Sequence, residues 1–189
     1  MYGRDNSRLF YRVKRSMKMT IKTQRLTLEP LGVKRLQSTH RYAADPELTR
    51  LMVFLPVRDI AETERYLRRC ESEMAKERPE FMEFAVMLGN EHIGSVSVYL
   101  EENGTAWELG WIIAREFHGK GYAMEAARGL MEYCRANGLG RFIAHCDSEN
   151  SASRRVMEKL GMSLRGISHG RKNRSSDELR DECLYEVTL

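Results

Sequence analysis

The sequence has no apolar run near the ~18 residues that a membrane-spanning helix requires, and no apolar core of a secretory signal. Its four cysteines (Cys70, Cys134, Cys146, Cys183) are scattered, with no CxxC pair and no histidine at metal-ligand spacing. That argues against a disulfide framework and against a bound metal, and it fits reduced thiols packed in the core of a cytoplasmic protein. There is no internal repeat and no low-complexity tract. The Gly-Lys-Ser/Thr of a Walker loop is missing, as is the dinucleotide-binding fingerprint. A basic domain face is also absent. The net charge of +4 arises in residues 1 to 19, where six bases meet one acid, which leaves the other 170 residues at −1. Nucleic-acid binding by the folded domain is therefore not expected.

What the chain does have is the composition of one soluble domain, with 42% hydrophobic and 31% charged residues over 189 positions. Residues 1 to 19 show no apolar period and read as a basic, flexible arm; residues 20 to 189 read as the domain. The alternation from Thr20 to Leu31, with one change of phase and a closing Pro30, predicts a strand. Short helices are expected over 32 to 44 and 45 to 53, the second opening at Asp45-Pro46. A longer helix is expected over 60 to 78, with a stripe of Ile60, Tyr66, Leu67, Cys70 and Met74. Strands follow at 82 to 88, 92 to 100 and 105 to 113, joined at Gly89-Asn90 and Asn103-Gly104. A helix over 121 to 137 aligns Ala123, Ala127, Leu130, Met131 and Cys134 on one face. The chain ends with a strand (141 to 147), a helix (150 to 160) and two strands (162 to 168, 182 to 188). Strands with helices on their faces and one βαβ unit over 105 to 147 make a mixed α/β sheet domain.

The sharpest local signal is His118-Gly119-Lys120-Gly121-Tyr122-Ala123, lying between an apolar strand and a clear helix. Glycines there let main chain approach a ligand, and the free amides of a helix's first turn attract anions. A plain Gly-rich turn is the alternative. Glu108 is a carboxylate on the preceding strand, on one face with Ala106, Gly110 and Ile112. Such a group has a partner or a task, and partial burial would raise its pKa toward that of a useful base. Asn150 and Ser153 stand where the next helix begins, as a cap and a first-turn residue do. The stretch from Arg165 to Arg174 is basic, with no acid, and reads as a solvated hairpin tip or as a contact for an anion.

The segment Glu108 to Ala126, together with Asn150-Ser151-Ala152-Ser153 and the following Arg154 to Met162, resembles the two signatures of the GNAT superfamily of N-acetyltransferases. Tyr122-Ala123-x-Glu125-Ala126 with Asn150-x-x-Ser153 is similar to the branch that acetylates the N-termini of ribosomal proteins. His118 departs from the pattern, which has Gln or Arg there; a packing or capping imidazole is expected. The resemblance implies a mostly antiparallel sheet that splays where acetyl-CoA enters. It implies that the main chain around Ile112 and Ile113 meets the pantetheine arm and thioester, and that His118, Gly119, Lys120, Gly121, Tyr122 and Ala123 form the pyrophosphate loop. Asn150 would bond the pantetheine amides. Glu108 would act as base, directly or through water, and Ser153 would protonate the departing thiolate, because Val156 to Leu160 carries no tyrosine. The implied acceptor is a primary amine, on a protein N-terminus or a small molecule; a non-catalytic acetyl-CoA-binding domain is the remaining reading. Neither a metal nor a membrane is implied, and the chain would be a monomer or homodimer.

Overall fold

The computed structural model describes residues 20 to 101 and 104 to 189; the arm of residues 1 to 19 and Asn103 of the predicted turn lie outside them. Eight strands form one sheet in the order β1-β2-β3-β4-β5-β6-β8-β7. They are β1 (Ile21–Lys22), β2 (Leu26–Pro30), β3 (Phe81–Leu88), β4 (Glu91–Leu100), β5 (Trp107–Ile113), β6 (Arg141–Asp147), β7 (Ser163–Lys172) and β8 (Leu179–Thr188). Every pairing is antiparallel except β5 with β6. The helices are α1 (Leu36–Ala43), α2 (Pro46–Thr49), α3 (Ile60–Ala75), α4 (Tyr122–Ala136) and α5 (Ser151–Lys159). The expected α/β sheet, with β5-α4-β6 as its parallel crossover, is what forms.

Three boundaries differ from the sequence reading, each for a local reason. The change of phase before Pro30 marks a turn rather than one strand. Thr23 N–H reaches the Leu26 carbonyl at 2.9 Å, and Leu26 N–H returns a bond to Thr23 Oγ1 at 3.0 Å. The helix expected over 45 to 53 is only α2: Asp45 caps it, accepting from Glu47 and Leu48 N–H at 3.0 and 3.2 Å, but the carbonyls of Arg50, Leu51 and Met52 then bond Asn173, Arg171 and the Arg174 N–H of the last hairpin instead of continuing a helical ladder. The stretch from Arg165 to Arg174 lies mostly within β7, and β7 and β8 both extend further than their apolar cores. Cross-strand charges support them, including Arg165 with Glu186 at 3.5 Å and Arg171 with Glu182.

The core divides by sheet face. On one face α4 sets Ala126, Ala127, Leu130 and Cys134, all fully buried, against the β1, β2, β4 and β5 strands. On the other face α1 and α3 cover β3 and β4, with Leu67 meeting Leu31, Ala85 and Met87. All four cysteines are free and buried, and burial pushes the thiols of Cys134 and Cys146 up to about 12, so neither of these two is a ready nucleophile.

Candidate active site

The two flanks of β5 are unequal. Toward β4 the pairing runs through seven registers, from Gly94↔Ile113 to Leu100↔Trp107. Toward β6 it stops after two, Trp107↔Phe142 and Glu108↔Ile143. Beyond Glu108 the parallel strands part, opening a wedge with main-chain groups along its sides. A Cβ built on Gly94 would lie 2.1 Å from the Ile112 carbonyl oxygen, so Ile112 turns its peptide groups toward β4. Alternation along a strand then turns those of Ile113 into the wedge.

The loop after β5 continues one wall. A 3-10 turn, Arg115–Phe117, anchored by buried Phe117, leads to His118. His118 Nε2–H donates to the Ile113 carbonyl at 2.7 Å, so the imidazole caps the end of β5. Gly119 and Gly121 adopt φ of +75° and +81°, left-handed conformations that side chains resist. Gly121 is the N-cap of α4 and has no side chain to offer as a cap. Glu125 N–H is the first to reach back along the helix, bonding the Gly121 carbonyl at 3.1 Å. The amides of Tyr122, Ala123 and Met124 therefore precede the helical ladder and stay available to an anion. Lys120 folds back, its Nζ donating to the Glu116 carbonyl at 3.2 Å and lying 5.4 Å from the Phe117 ring centre.

The helix end is braced from the first hairpin. The Glu125 carboxylate accepts from Thr23 Oγ1 at 2.6 Å and from Arg25 N–H and Nε at 2.7 Å each. These bonds and the charge of Arg25, working against partial burial, hold the Glu125 carboxyl below the usual glutamate range. The Arg25 guanidinium lies 4.6 Å from the Tyr122 ring centre. The chain resemblance did not single out Arg25; a Thr-x-Arg turn carries no chemistry until α4 is placed beside it.

The opposite wall is β6 running into α5. Asn150 caps α5, its Oδ1 accepting from Ser153 N–H at 3.0 Å, and its own N–H bonds the Asp147 carbonyl at 2.9 Å. Asn150 and the half-buried Ser153 thus stand at the far end of β6, across the gap from the Gly119–Gly121 loop. Asp147 is fully enclosed. It is paired with Arg180 and accepts from Asn173 Nδ2 at 2.9 Å. Although burial opposes it, the arginine keeps the Asp147 carboxyl below its ordinary range. Arg171 and Arg174 are committed as well: Arg171 bonds Glu182 and the Leu51 carbonyl, while Arg174 bonds the Phe54 carbonyl at 3.0 Å and Glu62 at 2.6 and 3.1 Å. These cations pin the loop after α2 to the last hairpin; they are not free contacts for a phosphate.

At the apex of the wedge Glu108 does have a partner. His145 Nδ1 lies 3.0 Å from Glu108 Oε1, linking β6 to β5 at the point where their pairing ends. Glu108 is partly buried, its side chain 39% exposed and that of His145 26%, and its partner is a histidine. The hydrogen bond to Glu108 raises the imidazole's pKa from its ordinary 6.5, against burial, and Glu182 and Glu101 add to the rise. Sequence reading missed His145. Alternation marks it only as one residue of an apolar strand, and its relation to Glu108 depends on the β5–β6 register.

Residues 25–163 match the model of the acetyltransferase (GNAT) domain. The chain belongs to the GNAT acetyltransferase family. It is 31% identical over 154 residues to the N-acetyltransferase YnaD of Bacillus subtilis, covering 79% of this chain and 85% of that one. A solved GNAT-family acetyltransferase from Bacillus anthracis is 28% identical and superposes with a TM-score of 0.75 over 90% of this chain and 98% of its own. RimL, a ribosomal L7/L12 α-N-protein acetyltransferase solved with coenzyme A, gives a TM-score of 0.80 at 19% identity, covering 90% and 98% of the two chains; that likeness is one of fold. As a GNAT member the protein is an acetyl-CoA-dependent acyltransferase. The wedge between β5 and β6 is the splay that the GNAT resemblance implied. Among the described residues, no helix is long and apolar enough to cross a membrane.

Proposed function

We propose that this GNAT protein moves an acetyl group from acetyl-CoA to the α-amine at the N-terminus of a protein. The observation that carries the reading is the opening of β5 from β6 beside a helix whose first-turn amides are free. The pyrophosphate would rest on the Gly119–Ala123 main chain, with His118 and Lys120 shaping the loop rather than meeting the phosphates through their side chains. Ile113 N–H would polarise the thioester carbonyl, with Ile112 fixing its direction through the β4 ladder. Asn150 would bond the pantetheine amides from the other wall.

At neutral pH the amine arrives as an ammonium ion and must lose a proton before it attacks. Glu108 at the apex would drive that step, directly or through a group that it polarises. The nitrogen then forms a bond to the carbonyl carbon, and the carbon–sulfur bond breaks. Ser153 would give its proton to the departing thiolate and recover one from the acylated nitrogen. The open setting of Glu108 favours a chain terminus over a small amine, for which a closed acidic pocket is expected. A second arm of this reading, with a small-molecule amine as acceptor, is kept because the FsC-acetyl coenzyme A-N(2)-transacetylase of Aspergillus fumigatus, 28% identical over 155 residues, is named for acetyl transfer to an N(2) position rather than to a protein N-terminus.

The test has two parts. Acetyl-CoA binding is measured by calorimetry for the wild type and Gly121→Glu. The variant should show no saturable binding, because a left-handed position receives a bulky side chain whose charge opposes the phosphates. Thiol release is then followed on a panel of N-terminal peptides, polyamines and amino acids. Turnover highest on peptides supports the reading. Turnover only on small amines moves the acceptor, and binding with no turnover on any amine overturns the transferase assignment in favour of a domain that binds acetyl-CoA only.

A further inference from the structure

Resting on the acetyl-transfer reading above, we infer that His145 Nε2 is the atom that takes the ammonium proton, with Glu108 positioning the imidazole and stabilising its charged form. Three features of the geometry lead there. Glu108 and Ile143 form the last pair before the strands part, and His145 follows two residues later on the same face, so the pair spans the apex itself. Nδ1 bonds Glu108, which leaves the proton-accepting lone pair on Nε2 in the neutral ring, and among the described residues Nε2 has no hydrogen-bond partner. The ring is also partly open to solvent, so a substrate amine has access.

The neighbours of His145 are mostly acidic. Glu108 faces it from β5. From β8 comes Glu182, itself paired with Arg171, and Glu101 adds a more distant negative charge. His145 opposes Leu184 in the β6–β8 ladder, and Arg180 is occupied by Asp147, so no unpaired cation of these strands lies against the ring. A carboxylate alone is a weak base for an ammonium ion, whereas an imidazole beside a carboxylate is poised closer to neutral pH. The transfer balances simply. The ammonium N–H bond breaks, Nε2 gains the proton to give an imidazolium paired with the Glu108 carboxylate, and the free amine lone pair attacks the thioester. The imidazolium returns its proton to solvent after product leaves.

The dyad predicts behaviour that a lone carboxylate base does not. His145→Gln and Glu108→Gln should each lower kcat/KM by roughly 10²–10⁴-fold, and the double variant should be little worse than the poorer single one, as for residues that act as a unit. Acetyl-CoA affinity should stay at the wild-type value in all three. The acid limb of kcat/KM against pH should lie above 6.5 in the wild type and fall toward it in Glu108→Gln, because losing the carboxylate removes the main cause of the raised imidazole pKa. An NMR titration of the His145 ring in the wild type and Glu108→Gln reads the same coupling without turnover. If His145→Gln keeps the wild-type rate and pH limb while Glu108→Gln loses activity, the carboxylate is the base and the inference falls, although the transferase reading stands. A His145 pKa unchanged by Glu108→Gln also overturns it. Absence of turnover in the wild type itself removes the acetyl-transfer reading and this inference with it.

Discussion

The two flanks of β5 carry carboxylates on one sheet face with opposite fates. On the closed flank Glu83 of β3 is buried beneath α3. Its Oε2 accepts from Tyr66 and Tyr99 hydroxyls at 2.8 and 3.1 Å, and the Ser95 and Ser97 hydroxyls also favour its charged form. Burial raises its pKa, and the four hydroxyls only partly oppose that. On the open flank Glu108, cross-strand from Tyr99, meets a histidine and solvent instead. The difference arises from strand pairing. A carboxylate beside a continuous ladder is sealed by neighbouring side chains and must be satisfied by them. One at the end of a ladder has room for a substrate. Carboxylate chemistry is the same at both places; access alone separates them.

The widest separation of the two carboxylates should appear in turnover. Glu108→Gln is expected to lose about 10²–10⁴-fold in rate on the best acceptor, while Glu83→Gln keeps a rate within a few-fold of wild type. Equal losses in steady-state assays would break the distinction. In stability the order reverses, and the largest effect should come from the clamp that closes the far wall. Asp147→Ala leaves Arg180 buried without its main partner and should lower Tm by roughly 10 °C in calorimetry. The same pair gives a pH signature. Because the Asp147 pKa is lowered, its contribution is fully present above the ordinary 3.8 and should be lost as pH falls through the lower folded value.

A smaller effect is expected at Glu83. Its folded pKa stands above the ordinary 4.5, so the folded state holds a proton that the unfolded state has released, and stability should decline as pH rises from 4.5 through the folded value. Subtracting the Tm–pH curve of Glu83→Gln from that of wild type isolates this slope; a difference that rises with pH would contradict the assignment. The smallest effect of all should follow removal of residues 1 to 18. A chain starting at Met19 is expected to match the full chain in melting and turnover, because the arm shows no apolar face to bury.

Much of this was legible in the chain. Helix α4 was readable because Ala127, Leu130, Met131 and Cys134 recur at helical spacing, and Asn150 was readable as a cap because a helix start has few good partners for its free amides. The Gly119–Gly121 turn announced itself through residue types that tolerate left-handed backbone. Harder to see were β7 and β8, where cross-strand charges rather than apolar alternation hold the outer turns, and α2, which stops short because the following carbonyls bond the last hairpin.

By itself the sequence determined the family, the order of elements and the glycine turn that opens α4, since each depends on neighbours within a few positions. Only the tertiary structure decided which carboxylate is open, that His145 faces Glu108, that Arg25 braces α4 through Glu125, and that Arg171 and Arg174 are already spent on the loop after α2. Those facts depend on strand register and on contacts between residues 37 to 120 positions apart, which local spacing does not encode.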